Sequence, residues 1–123
     1  AVYADKPSIE GTYWRLSFLT GIELLDGDEH LAQRPHIALH SEANRVAGFS
    51  GCNRFFAQYA ISQSEISFQI LGGGRASCAD NNELEASFFR LLSKVTHYEL
   101  SSDELVFYES GELSLRFVAV ITE

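Results

Sequence analysis

Apolar and polar residues alternate along most of this chain with a period of two, which is typical of half-buried β-strands. The first such segment begins at Thr12 and puts Trp14, Leu16 and Phe18 on one face. The same alternation recurs over residues 36–40, 45–49, 55–61, 65–70, 96–100, 104–109 and 113–121. These segments predict about eight short antiparallel strands, several of them joined by tight turns.

One segment has the spacing of a helix instead. Apolar side chains recur there so that they fall on a single face of a 3.6-residue helix: Leu84, Phe88, Leu91, Leu92 and Val95. Asp80 is placed to cap this helix, and Glu83 follows it three residues later, as in a capping box. The pattern predicts one amphipathic helix over about residues 81–95.

A helix with one apolar face needs one concave sheet face to cover it. The predicted fold class is therefore α+β and mostly β: a strongly curled antiparallel sheet, or a small β-barrel-like wall, packed on the helix. Residues 1–8 are a poorly patterned N-terminal lead-in, and residues 9–123 are expected to form a single domain, since the 123-residue chain is too short for two independent cores.

Composition and charge narrow the classes of partner. The chain is 46% hydrophobic and 21% charged, which excludes disordered, collagen-like and coiled-coil proteins. Its net charge of −8 predicts no nucleic acid partner and no anionic membrane surface, because binding to either depends on a basic patch. No run of eighteen apolar residues is present, so we expect no transmembrane segment. We also expect a monomer without a cofactor.

The two cysteines bear on the cellular compartment. Cys52 and Cys78 fit one disulfide better than a metal site, because no CxxC or CxxH spacing accompanies them. Two buried free thiols, or one reactive thiol, are the alternatives at this point. A disulfide persists only in an oxidising compartment, so it favours an exported protein. Val2 and Ala4 have the spacing of a signal-peptidase site, although an arbitrary chain start explains them as well.

A longer motif surrounds the first cysteine. The run Gly48–Phe55 reads Gly-Phe-Ser-Gly-Cys-Asn-Arg-Phe, an opening strand with Trp14 precedes it, and Cys78 stands before an acidic helix start at 83–85. Over about residues 9–120 the chain resembles the META/HslJ-like domain family. The motif residues that carry the resemblance are Trp14, Gly51, Cys52, Asn53, Phe55 and Tyr59.

The resemblance implies a small β-barrel-like fold with one helix. Members of this family are mostly bacterial envelope proteins related to stress responses, among them the heat-shock protein HslJ, and many are lipoproteins. It therefore implies a periplasmic or outer-membrane-associated protein, with a lipid anchor in the full-length protein as one arrangement. No enzymatic activity is established for the family, so the resemblance implies no reaction.

The Gly51–Arg54 segment has two interpretations. Gly51 and Asn53 both tolerate positive φ, and this favours a tight corner pinned by the disulfide. Alternatively, Asn53, Arg54 and Arg75 form a recognition patch for a carboxylate or phosphate, because the cysteines would bring their segments together.

Other chemical signals are weak. His36 and His40 lie about 13 Å apart on one strand, too far apart to share a metal ion. The acidic run 26–30 lacks the ligand spacing of a calcium loop. Gly72–Gly74 lack the lysine of a phosphate-binding loop, so these glycines are expected to form a bend before the helix.

These observations do not predict an enzyme. The hypothesis they favour is a non-catalytic envelope domain that binds a protein partner. The alternative is a small barrel that holds a lipid or another apolar ligand in a cavity beside the helix, since fifteen aromatic side chains are enough to line one.

Overall fold

A computed structural model describes residues 8–24, 34–78 and 81–120 of this chain. The acidic run 26–30 and the predicted helix cap Asp80 lie outside the described residues. Within them the structure has one α-helix, α1 (Asn82–Leu92), and a short 3-10 turn over Glu42–Asn44. The strands are β1 Tyr13–Leu19, β2 His36–His40, β3 Arg45–Phe49, β4 Arg54–Ser62, β5 Glu65–Gly73, β6 His97–Leu100, β7 Glu104–Glu109 and β8 Glu112–Val120.

The strands form a closed antiparallel barrel. Each strand pairs with the next one along the chain, and β8 returns to pair with β1, where Tyr13 lies opposite Val120. The seam between β5 and β6 is the shortest, with the single residue pair Glu65 and His97. Of the two predicted architectures the barrel is confirmed, because the first and last strands close the sheet on itself.

Helix α1 packs its apolar face into this barrel. Phe88 and Leu92 are fully buried, and the Phe88 ring centroid lies 5.9 Å from that of Phe55 and 6.3 Å from that of Phe117. The helix is shorter than the predicted segment 81–95, so Val95 is buried from the loop that follows it. The largest fully buried side chains from the strands are Trp14, Leu16, Leu19, Ile37, Leu39, Phe55, Ile66, Leu105, Phe107 and Phe117.

The predicted alternation of β1 is wrong at its end. The pairing of β1 with β8 shifts between Leu16 and Phe18, which is a β-bulge. A bulge adds one residue to one strand and moves the following side chains to the other face. Leu19 is therefore buried where Phe18 was expected, and Phe18 lies outside under the Arg116 guanidinium, 5.8 Å from its ring centroid.

The glycine run at the end of β5 has a different role from the predicted bend. β5 continues through Gly73, which pairs with Phe55 on β4. A β-carbon on Gly73 would lie 2.6 Å from the Arg54 carbonyl oxygen, closer than any real contact allows. The absence of a side chain there lets two backbones approach closely where the chain leaves the barrel wall.

A polar corner and an apolar wall as candidate functional sites

The first candidate site is the connection between β3 and β4, where Cys52 is bonded to Cys78. Both residues are half-buried, and their Cα atoms lie 5.8 Å apart. The predicted disulfide is confirmed, and the two free-thiol alternatives are wrong. The bond ties this connection to the segment that leads into α1. We call the connection, with the side chains of Ser50, Asn53 and Glu85, the polar corner.

Asn53 is the centre of the polar corner. Its Nδ2 atom donates hydrogen bonds to the Ala76 carbonyl oxygen at 3.0 Å and to Glu85 Oε2 at 2.9 Å. Its Oδ1 atom accepts a hydrogen bond from the Ala76 N–H at 2.9 Å. Both polar atoms of the side-chain amide are thus engaged within the domain, where they bind the segment before α1 and the first turn of that helix.

Ser50 and Glu85 complete the corner. The fully buried Ser50 hydroxyl donates to Glu85 Oε2 at 2.6 Å and accepts from the Asn53 N–H at 2.9 Å. Asn81 Nδ2 adds a 2.7 Å bond to the Gly51 carbonyl oxygen, so that the first turn of α1 is held at two points. Hydrogen bonds to a carboxylate are stronger than those between neutral groups, so Glu85 anchors the helix to the corner.

The structure separates the residues of the predicted recognition patch, Asn53, Arg54 and Arg75, into two groups. Gly74 N–H donates to the Arg54 carbonyl oxygen at 3.0 Å, so the backbones near Arg54 and Arg75 do come together. Both arginine side chains are exposed, whereas Asn53 is 8% exposed and engaged internally. Asn53 therefore belongs to the corner, and only the two arginines remain available for recognition.

Two other motif residues also act within the structure. The Tyr59 hydroxyl donates a hydrogen bond to the Glu10 carboxylate, and burial together with this bond raises the pKa of Tyr59 far above its ordinary value. Trp14 is fully buried, and its Nε1 atom donates to the Ile9 carbonyl oxygen at 3.1 Å. Both bonds hold the residues before β1 against the barrel.

The second candidate site is the outer surface of β1–β4. One row of laterally paired residues crosses it: Tyr13, Ala38, Ala47 and Phe56. Tyr13 is 44% exposed and Phe56 is 62% exposed, and Leu71 on the neighbouring β5 is 56% exposed. In the described part of the chain these are the large hydrophobic side chains that face solvent. We call the outward-facing side chains of β1–β4, together with Leu71, the apolar wall.

Aromatic rings stack along one edge of this row. The Tyr13 and His36 ring centroids lie 4.5 Å apart, and those of His36 and Phe49 lie 5.5 Å apart. Burial lowers the pKa of His36, and the positive charge of Arg54 acts in the same direction. His36 is therefore neutral at neutral pH and serves as an aromatic surface rather than a charge.

Charge is segregated between the two halves of the barrel. None of the residues in β1–β4 is Asp or Glu, and these strands contain Arg15, Arg45 and Arg54. The other four strands carry one arginine and five glutamates: Glu65, Glu99, Glu104, Glu109 and Glu112. The net charge of −8 conceals a surface of the opposite sign.

The apolar wall was not predicted from the sequence. The absence of carboxylates from 13–19, 36–40, 45–49 and 54–62 can be read in the sequence once the strands are assigned. That these four segments lie side by side follows from the pairing, and the exposure of Phe56 follows from its outward direction on β4.

A third region bears on the alternative of an apolar ligand. A cavity of about 420 Å³ opens at the short β5–β6 seam, where Ile61, Ile66 and Val95 line it and His97 lies at its rim. The axis of the barrel beside α1 is filled by aromatic side chains such as Phe55 and Phe107. Among the described residues, the cavity at the seam is where we expect such a ligand, and its presence there stays a prediction.

Two properties of the described residues concern metal binding and membranes. Over 8–24, 34–78 and 81–120, no three His, Cys, Asp or Glu side chains gather in an arrangement that could hold a metal ion. No helix in the same ranges combines the length and apolarity needed to cross a bilayer.

The comparison with protein families decides the affiliation of the chain. The model of the META domain matches residues 7–120. This chain belongs to the META domain family. The motif around Cys52 is thus the sequence of a META domain, and in this one it forms the polar corner.

Solved structures share the fold of this META domain. The NMR structure of a protein from Burkholderia xenovorans matches with a TM-score of 0.71 and 22% identity, over 99% of this chain and 94% of that one. The crystal structure of a DUF4847 family protein from Bacteroides vulgatus matches with a TM-score of 0.65 and 12% identity, over 94% and 96%. At these identities the likeness concerns the fold alone. A comparison with curated proteins found no match.

Proposed function

We propose that this META domain is a non-catalytic binding domain of an exported protein, and that a protein partner docks on its apolar wall. The observation that carries this proposal is the position of Tyr13, Phe56 and Leu71, which expose large hydrophobic surfaces within the continuous stretch of sheet from β1 to β5. Exposed apolar patches of this kind are typical of interaction sites. Aromatic side chains and arginine are also the residue types enriched at protein interfaces.

The polar corner supports the non-catalytic part of the proposal. Its most reactive-looking groups, Ser50, Asn53 and Glu85, satisfy each other and the backbone. Cys52 is bonded to Cys78 and is no nucleophile. The same disulfide supports export to a periplasmic or outer-membrane compartment, because it is stable only under oxidising conditions.

Site-specific photo-cross-linking tests the proposal. A photoreactive amino acid is placed at Ala47 on the wall and, as the matched control, at Glu112, the exposed first residue of β8. In the envelope of the source organism we expect position 47 to give a defined protein adduct and position 112 to give none.

The adduct is then identified, and the purified partner is titrated against the parent domain and Phe56→Ser. We expect the variant to bind about tenfold more weakly or worse, because it removes a central apolar contact. Equal adducts from positions 47 and 112, or unchanged affinity for Phe56→Ser, would contradict the proposal.

A further inference from the structure

The apolar wall contains a depression whose floor is made of two alanines. Ala38 and Ala47 are paired neighbours in the middle of the row that ends in Tyr13 and Phe56. Neighbouring strands are about 4.8 Å apart, so the backbones of Tyr13 and Phe56 are about 14 Å apart along the sheet. His36 and Phe49 lie two residues further along the strands and close one side of the depression. We call this feature the saddle.

The size of the saddle fits one large side chain. The spacing of two residues along a strand is about 6.7 Å, so the floor has room for a leucine or an aromatic ring between its flanking side chains. Aromatic rings already surround it, and His36 presents its neutral face there. Such a pocket is the form in which interface hot spots receive an anchor residue from a partner.

Positive charge lies on both sides of the saddle. Arg54 pairs with Phe49 on the closed side, and Arg45 pairs with His40 on the other. Neither guanidinium forms an ion pair with a carboxylate of the described residues. Beyond Arg45 the surface ends at Glu42 in the 3-10 turn, so a negative partner would lie across β2–β4 and not over that turn.

We propose that the partner presents an acidic polypeptide segment to this wall, with one apolar or aromatic side chain seated in the saddle and carboxylates on Arg45 and Arg54; this inference rests on the proposed function. Charge complementarity supports an acidic partner, since β1–β4 have arginines and no carboxylate in a chain of net charge −8. The alanine floor supports a partner with a protruding apolar side chain, because a flat bilayer surface would cover the depression without filling it.

Model peptides test the proposal with the disulfide-bonded protein. The probe is a fluorescein-labelled nine-residue peptide with a central phenylalanine and four glutamates on each side, and its binding is followed by fluorescence anisotropy. In one matched peptide glutamine replaces every glutamate, and in the other serine replaces the phenylalanine. We expect the first peptide to bind about tenfold more tightly than either control, and to weaken as salt is added.

Variants of the protein locate the binding. Ala47→Leu fills the saddle and Arg45→Gln removes one charge, and we expect each to lower the affinity severalfold. The matched controls are Ala86→Leu and Arg90→Gln, both at exposed positions of α1 and outside the apolar wall. Both controls should bind like the parent, and all four proteins should keep the parent melting temperature within a few degrees.

Each other outcome overturns the inference. Equal binding of the acidic and glutamine peptides, or parent-like affinity of Ala47→Leu, would contradict it. Co-sedimentation with vesicles of three parts phosphatidylcholine to one part phosphatidylglycerol, without peptide binding, would point to a membrane surface instead. If the peptides fail while the cross-link from position 47 persists, the acidic partner is wrong and the proposed function stands; if that cross-link is also absent, both are wrong.

Discussion

The polar corner and the apolar wall meet at consecutive residues, Asn53 and Arg54, and they use their side chains in opposite ways. Asn53 points into the structure, and its side-chain amide forms hydrogen bonds with Ala76 and Glu85. Arg54 points outward and is exposed. The corner carries three of the six residues on which the family resemblance rests, Gly51, Cys52 and Asn53. The other three are buried in the barrel, and none of the six faces outward on the wall. The recognisable motif of this META domain therefore specifies its architecture, while the surface that we propose for binding lies beside the polar corner.

The largest expected effect tests whether the interior carries the stability. Phe88→Ala removes a fully buried ring from α1 and leaves a cavity, so we expect a loss of about 3–5 kcal/mol in the free energy of unfolding, measured with urea. Leu91→Ala on the same helix is the control, because Leu91 is only half-buried and should lose less. Equal losses would mean that the helix packs with a different face.

The second prediction concerns the disulfide of the corner. Replacing both Cys52 and Cys78 with serine should lower the stability by about 3.5 kcal/mol, since the unfolded chain regains the freedom of a 26-residue loop. Thermal unfolding measures this, and the parent protein under reducing conditions should melt like the variant. Identical melting of the oxidised parent and the variant would show that the corner does not depend on the bond.

The neighbouring residues Asn53 and Arg54 should differ in their contribution to stability. Asn53→Ala should cost about 1–3 kcal/mol, because the partly buried hydrogen bonds with Ala76 and Glu85 are lost. Arg54→Ala should change the stability by no more than about 0.5 kcal/mol, since its side chain is exposed. Chemical denaturation of the two variants side by side decides the matter. A reversed order would place the wall, and not the corner, in the structural role.

The wall variant Phe56→Ser should be nearly neutral for folding. Its ring is 62% exposed, so we expect a change within about 0.5 kcal/mol in the free energy of unfolding. The same variant is expected to lose partner binding. A large loss of stability would contradict the assignment of this side chain to an interaction surface.

The smallest expected effect is a pH dependence through His36. Its pKa is lowered in the folded protein, so the unfolded chain binds the proton more readily. The contribution of His36 to stability is complete above about pH 6.5, the ordinary histidine pKa, and is lost as the pH falls through and below that value. His36→Phe should keep the ring stack and show a shallower fall in melting temperature from pH 7 to pH 5. An NMR titration of His36 at or above the ordinary value would contradict this.

Local patterns were enough to predict much of the barrel. The helical spacing correctly placed Phe88, Leu92 and Val95 in the core, and alternation correctly identified the strands. It was wrong at Phe18, because the bulge in β1 depends on how β8 pairs with it from the far end of the chain. A period of two reports which residues share a face and carries no information about distant register.

The candidate sites divide in the same manner. The disulfide could be predicted, because cysteine spacing and the lack of other metal ligands are sequence properties. The burial of Asn53 could not, since its partners Ala76 and Glu85 come from segments 23 and 32 residues away. The saddle depends on Ala38 and Ala47 being lateral neighbours between two rings, which only the register establishes.

The pairing of Tyr13 with Val120 brings the beginning of the first strand and the end of the last strand to one rim of the barrel. A short glycine-rich linker would join these two strand ends. A circular permutant with new termini in the exposed turn over 101–103 should therefore keep every pair of neighbouring strands. The order in which the chain connects the strands can thus be changed, whereas the hydrogen bonds that close the barrel must be kept.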